Sequence, residues 1–480
     1  VQNTFVRFLI AAVLVSTSSL RVAAQALSVL SDSTRAFVMV SEPVVALTNV
    51  TVIDGTGSAP RTGQTVLIRD GKIAEVGAAG SVPIPAGART MDLTGQTVIP
   101  GLVGMHDHLF YTAAGGRRAS LAFTGPRLYL ASGVTTIRTT GATAPYADIN
   151  VKHDVDIGRV PGPRIHITAP YITGAEGGAN MAVLTTPEAA RRFVDYWVAE
   201  GATWIKSYTD IHRSELKAAI DEAHKRGIKV TGHLCSVTYG EAVDMGIDNL
   251  EHGFFTASDF DPQKKPDLCP AGSFTRVAGS NSANDTGRAV IKKMVDRKVP
   301  MTSTLAVLEP FFPNRPVTDE RTLVAMAPEV KQAYLGLRAH IDSGTAVQWP
   351  FTPDMLTSAM KFERAFVEAG GLLAAGVDPT GIGGALPGYG DQRNFELLAE
   401  AGFTPVQIVQ IMSANGAKIL GVYNKLGSVE RGKLADLVVL NGDLAKDPSV
   451  IRKVTVVFKD GVGYDSQKLI AAVKGRVGID

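Results

Sequence analysis

The chain has 480 residues, 45% of them hydrophobic and 20% charged, with 48 basic residues against 46 acidic ones and a formal net charge of +2. This is ordinary globular composition with ample material for a large core, and no run of like charges points to nucleic acid or to an anionic membrane surface. Length alone is compatible with several average domains or with one α/β barrel of about 250 residues plus additions.

The first 26 residues differ in kind. Val1 to Arg7 carries one positive charge and no acid, Phe8 to Val15 is apolar, and after a Ser/Thr-rich stretch the chain reaches Ala24-Gln25-Ala26. That is the charged, apolar and A-x-A order of a secretory signal peptide, and the apolar run is shorter than the roughly 20 residues a membrane span needs. Residues 1–26 are therefore expected to be an export signal cleaved after Ala26, with a periplasmic or secreted product and no further membrane segment. A buried N-terminal helix is the structural alternative.

Period-two segments follow. Val45–Ile53, Thr65–Arg69 and Lys72–Val76 are punctuated by Asp54-Gly and Asp70-Gly71, as hairpins of a small β-sandwich would be. Ala435–Leu440 and Val454–Phe458, the latter before Asp460-Gly461, look alike at the other end, so the two pieces are expected to fold together. Between them, short apolar strands alternate with helices. Thr186 caps, Pro187 opens and Gly201 closes one helix, and Leu216, Ala219, Ile220 and Ala223 mark another over 214–226. Eight candidate strands lie near 102–108, 133–139, 164–168, 203–207, 229–234, 247–252, 299–303 and 372–378. Eight strand–helix units favour an α/β fold of the (β/α)8 TIM-barrel type, and no G-x-G-x-x-G turn supports a doubly wound sheet. Residues 254–285 read as a long loop that could cover a site. Cys235 and Cys269 are the only cysteines. Both fall among loops at one end of the barrel, and whether they pair stays open.

Potential metal ligands fall at strand ends. His106 and His108 close the first strand in Pro100-Gly-Leu-Val-Gly-Met-His-Asp-His108, where alternation points both imidazoles the same way. Lys206 ends the fourth strand, His233 the fifth, His252 the sixth and Asp378 the eighth. Each alone is weak, since a lone His is more often structural and a strand-end Asp more often caps a helix. Six such residues on five strands would converge where barrel enzymes keep their active sites.

The chain resembles the amidohydrolase superfamily, in the branch that has a carboxylated lysine and includes prolidase-like dipeptidases and ochratoxin-hydrolysing amidases. The resemblance rests on the ordered ligands and on the text around them. That text includes Val98-Ile-Pro-Gly-Leu, Gly133-Val-Thr-Thr, Gly162-Pro-Arg-Ile, Ala417-Lys-Ile-Leu-Gly421 and Gly427-Ser-Val-Glu-Arg-Gly-Lys-Leu-Ala-Asp-Leu. It implies a composite β-sandwich from residues 44–100 and 425–465, a barrel over 101–424 and a C-terminal tail over 466–480. It also implies two divalent ions, commonly zinc, with His106, His108 and Asp378 on one and His233 and His252 on the other. Lys206, as an N-carboxylate formed with CO2, would bridge them. Two such ions about 3.5–4 Å apart can share a hydroxide that attacks a carbonyl. Asp378 would then move the proton, and Tyr208 would donate to the oxyanion unless a backbone carbonyl occupies it.

The expected reaction is hydrolysis of the amide bond of a dipeptide, an N-acyl amino acid or a related small amide. Arg117, Arg118 and Arg138 are candidates to bind a substrate carboxylate, Arg138 being the one carried forward. Ester, lactone or phosphotriester hydrolysis by the same site is one alternative. A mononuclear deaminase or imidazolonepropionase-like enzyme is another, opposed by Lys206, and a non-catalytic barrel is a third. Homo-oligomerisation stays open. Two departures from the family bear on substrate choice: Arg138-Thr139 stands where relatives often have Arg-Asp, and Ser207-Tyr-Thr follows Lys206 in place of Gly-Gly.

Overall fold

The computed structural model describes residues 29–178, 180–315, 319–344 and 350–479, and the expected export signal over 1–26 lies outside the described residues. The terminal strands form as their alternation dictates. Val45, Leu47, Val50 and Val52 of the strand Val44–Val52 pack with Val66 and Ile68 of Arg61–Arg69. Arg69 pairs with Lys72 across Asp70-Gly71, whose φ values of 49° and 77° are both positive, as a tight hairpin turn requires. Asp460-Gly461 repeats the device between Lys459 and Val462, with φ of 51° and 81°. Leu437–Leu440 then runs antiparallel to Thr97–Pro100, with Val438 opposite Ile99. The two ends of the chain fold together, and hydrogen bonding joins their strands in one nine-stranded sheet. The sheet branches at Val44–Val52, which bonds three partners.

The eight parallel strands are β1 (Leu102–Asp107), β2 (Val134–Thr139), β3 (Arg164–His166 and Thr168–Thr173), β4 (Trp204–Ser207), β5 (Lys229–Gly232), β6 (Asn249–Glu251), β7 (Met301–Ser303) and β8 (Leu373–Ala375). Each pairs in parallel with the next. They do not form one closed ladder. The chain is α/β with the parallel strands in sheets of three and seven, because β3 is interrupted at Ile167 and its second half changes partner, also taking the two-residue strand Ala182–Val183 into the larger sheet. From β8 the chain returns to β1, where the Asp378 amide donates to the His106 carbonyl at 2.8 Å. Gly376 makes that approach possible, since a Cβ on it would stand 2.2 Å from the His106 nitrogen.

Helices cover the outside. Thr186 accepts from the Ala189 amide to cap Pro187–Ala199, which turns Ala190, Val194 and Trp197 inward. Arg213–Lys225 buries Leu216, Ala219, Ile220 and Ala223. Residues 254–285 are more ordered than a loop. They hold two 3-10 turns, Gly253–Thr256 and Ser258–Phe260, and the helix Ser273–Ala278. Phe254, Phe255 and Phe260 are buried there, each contributing about 1.5–3 kcal/mol by leaving water. A disulfide between Cys235 and Cys269 ties this segment to the end of β5. The C-terminal segment is likewise a packed element: the helix Ser466–Val473 buries Leu469 and Val473. Among the described residues no helix is long and apolar enough to cross a membrane.

Candidate metal centre

His106, His108, Tyr171, Lys206, Tyr208, His233, His252 and Asp378 line one cavity, together with Arg118 and Thr380. Alternation delivers His106 and His108 from β1, and the register of β3 on β4 sets Tyr171 beside Lys206. His252 and Asp378 reach the cavity differently. Both have left-handed backbones, with φ of 66° and 49°, so the chain turns sharply at the strand ends and brings in side chains that simple alternation would send elsewhere. Such strain in non-glycine residues clusters at functional sites.

The ligand atoms of His106, His108 and Asp378 all lie within 4.8 Å of one another. The Asp378 carboxylate stands 3.6 Å from His106 Nε2 and 3.3 Å from His108 Nε2. The His252 ring centroid is 4.4 Å from those of His106 and His233. Thr380 donates to Asp378 Oδ1 at 2.8 Å. Burial alone would raise the Asp378 carboxyl, but His106 and His108 more than offset it and hold it far below the usual carboxylate range. Burial brings His233 down to about 3 and carries His106 and His252 well below the ordinary imidazole value. Buried imidazoles kept neutral retain the lone pair that a metal needs.

Lys206 is fully buried, and its Nζ has no hydrogen-bond partner among the described residues. Burial lowers it to about 8, opposed in part by Glu251. An orphaned ammonium among imidazoles is costly, so the neutral amine is far more accessible than for a lysine in water. Tyr208 turns its ring to His233 at 4.5 Å, and its phenol is pushed up to about 12 by burial, so it stays protonated and able to donate.

Under the cavity lies a layer that the sequence reading missed. Glu251 is completely buried, and its Oε2 stands 2.7 Å from His106 Nδ1. Since a carboxylate only accepts, Nδ1 carries the proton and Nε2 faces the site unprotonated. Burial pushes Glu251 up, but Arg138 and Lys206 outweigh it and keep the carboxyl below its usual value. Arg138 Nη2 donates to Glu251 Oε1 at 2.5 Å, and its guanidinium sits 4.4 Å over the Trp204 ring. The expectation that Arg138 binds substrate is thereby corrected: it is wholly buried, lies outside the cavity lining and is held by Glu251 and the Met105 carbonyl. Position 138 shares a strand face with 134 and 136, so the side chain points into the packed interior. Arg118 lines the cavity instead, is solvent-exposed and forms no salt bridge among the described residues. His108 Nδ1 lies 3.1 Å from the Gly141 carbonyl and His252 Nδ1 2.9 Å from Thr304 Oγ1. The remaining histidines stay outside: His212 pairs with Glu176, His224 with Asp248, and His166 is half-buried and does not line the cavity.

The amidohydrolase family model matches residues 97–259 and 376–463, and the chain belongs to that family. Its members are hydrolases and typically bind metal ions. The chain is 24% identical over 398 residues to a dihydroorotase of Pelotomaculum thermopropionicum, covering 80% of this chain and 86% of that one. A shorter match, to a dihydroorotase of Anaeromyxobacter dehalogenans, spans only 30% of that protein. Among solved structures, a Xaa-Pro dipeptidase with bound methionine aligns with a TM-score of 0.65 at 21% identity, over 88% of this chain and 100% of the other. The A. niger ochratoxinase aligns at 0.62 and 17%, over 88% and 95%. These likenesses are to the fold.

Proposed function

We propose that this chain hydrolyses the amide bond of a small substrate, a dipeptide, an N-acyl amino acid or a related amide, at a centre of two divalent metal ions. His106, His108 and Asp378 would hold one ion, His233 and His252 the other, and N-carboxylated Lys206 both. The observation that carries the reading is the buried Lys206 Nζ with no partner, standing among four imidazoles and one carboxylate. As an ammonium it has no lone pair to offer, whereas as a carbamate it becomes a second anionic oxygen donor beside Asp378. Imidazole and carboxylate ligands suit zinc. Bound there, the ions would polarise the scissile carbonyl and lower the pKa of water.

The chain's own groups then have distinct tasks. Asp378, kept ionised by His106 and His108, accepts the proton of the attacking water and passes it to the leaving nitrogen. Tyr208, protonated, donates to the oxyanion as it develops. Glu251 fixes the tautomer of His106. Arg118, exposed at the cavity and without a salt-bridge partner among the described residues, binds a substrate carboxylate. Around this site the strands are read as a (β/α)8 barrel over 101–424, with a β-domain from 44–100 and 425–465. Residues 1–26 are read as an export signal, a reading supported by the Cys235–Cys269 disulfide, which suits an oxidising compartment.

A single-ion centre is the second reading, favoured by His106, His108 and Asp378 being the one close group of potential ligands among the described residues. The amide assignment is tested with dipeptides and N-acyl amino acids against matched esters, lactones and phosphotriesters, before and after chelation. Turnover of amides that is lost on chelation and restored by zinc is expected, with a raised KM for carboxylate-bearing substrates in Arg118→Gln. Turnover of the esters or phosphotriesters alone would overturn the amide assignment.

A further inference from the structure

A cleft of different character lies at the other end of the parallel strands. The candidate metal centre gathers residues from strand carboxyl ends, whereas Lys229 opens β5 and Asp248, Pro300 and Leu372 stand immediately before β6, β7 and β8. Together with Arg297, Lys298 and Lys418 these residues line an open cavity of about 390 Å³. Small-molecule sites commonly span about 300–1,000 Å³. The charge here is one-sided, because the only acid of the lining is Asp248. That carboxylate is already engaged: it accepts from the Val230 amide at 2.8 Å and stands 2.9 Å from His224 Nε2. Arg297, Lys298 and Lys418 are exposed and form no salt bridge among the described residues. Lys229 is half-buried, and its ammonium donates to the Ile419 carbonyl and lies 5.4 Å from the centre of the Trp204 ring. It too has no salt bridge among the described residues, so a partly desolvated cation lacks the anion that would offset its burial. Lys298 adds a second kind of evidence. It follows the helix Asp285–Asp296 and its cap Arg297 with a left-handed backbone, φ 56°, where glycine is the usual residue. A lysine is therefore held at the rim of this cleft at a conformational cost.

We propose that this cleft binds a small polyanion of the oligophosphate class, at a site separate from the candidate metal centre. Cations from a strand start, a helix end and a separate helix converge on one space, and a compact ligand with three or more negative charges satisfies them together. A single phosphate would leave most of them unpaired. The donor set also favours phosphate over carboxylate. Lysines act as point charges that meet tetrahedral phosphate oxygens from separate stems, while planar carboxylates suit the paired fork of arginine, of which the lining holds one. The proposal does not rest on the reaction assigned to the metal centre.

Calorimetry on the full chain with tripolyphosphate, orthophosphate and citrate tests the site. Tripolyphosphate is expected to bind about tenfold or more tightly than either of the others, and more weakly as salt is raised. Lys298→Glu combined with Lys418→Glu reverses two exposed charges and is expected to weaken tripolyphosphate binding by about tenfold or more. Parent and variant share the same metal centre, so the difference between them reads the cleft and not phosphate held by metal. Lys361→Glu, exposed on the helix Pro353–Glu368 and outside the lining, is the control for net charge and should leave the affinity unchanged. Circular dichroism checks that each variant is folded, and Arg297→Gln, with an expected loss of about threefold, serves if the double variant is not. No tripolyphosphate binding in the parent, an unchanged affinity in the folded cleft variant, or an equal loss in Lys361→Glu would overturn the site. Citrate bound as tightly as tripolyphosphate would overturn the phosphate assignment.

Discussion

The Glu251 carboxylate stands 2.7 Å from His106 Nδ1, fully buried, and its other oxygen takes the Arg138 guanidinium. One acidic side chain thus sets the tautomer of a candidate ligand and neutralises a buried cation. Glu251→Gln keeps the shape but loses the charge, so the ring is free to take either tautomer. Outer carboxylates of this kind are worth about 10–100-fold in metal affinity. Chelator competition is expected to show a loss of that size in a variant that still folds, and unchanged affinity would contradict the role.

Arg138 is predicted to be a structural residue. Arg138→Met leaves Glu251 buried with one partner fewer, and breaking a buried pair costs about 3–5 kcal/mol. Urea unfolding should show a loss of that order. A variant of parental stability with only a raised KM would instead mean that Arg138 contacts substrate.

The disulfide spans 34 residues and anchors the segment 254–285, in which Phe254, Phe255 and Phe260 are buried. By the chain-entropy account a loop of that size is worth about 3–4 kcal/mol. The Cys235→Ser, Cys269→Ser double variant is expected to unfold at lower temperature than the parent by calorimetry, and an unchanged midpoint would show that packing alone holds the segment.

Asp148, in the helix Pro145–Asp156, is buried with one oxygen unpartnered among the described residues, and burial pushes its carboxyl up to about 8. In the unfolded chain the group titrates near 3.9. The folded protein therefore holds the proton more tightly, and this group's contribution to stability falls as pH rises from about 4 and levels off above about 8. Asp148→Asn should flatten that decline, being more stable than the parent at pH 8 and closely matched to it near pH 4. Parallel stability curves would contradict the assignment.

Much of the architecture was legible in the sequence because it rests on local signals. All eight parallel strands fall where short apolar runs precede turns, and the Pro187 helix falls where its cap and apolar stripe place it. His106 and His108 followed from alternation. What could not be read depends on the third dimension. Glu251 adjoins His252 in sequence, but only the left-handed backbone at His252 shows how both serve one site from opposite strand faces. The sequence reading offers Arg138 to a substrate carboxylate, whereas every residue of β2 is buried and the guanidinium is held by Glu251. Tyr171 carried no motif and is placed by the pairing of β3 with β4. Residues 254–285 looked like a loop from their Gly, Ser and Asp content, while the buried Phe254, Phe255 and Phe260 decide their packing.

The central claim, that Lys206 completes a two-ion centre, is tested most directly by the metal content of the purified full chain and of Lys206→Ala after zinc loading. Two equivalents in the parent, falling to one or fewer in the variant and recovering when a short carboxylic acid is supplied to replace the missing oxygen donor, is the predicted result. One equivalent in both proteins would contradict it and leave a single ion on His106, His108 and Asp378.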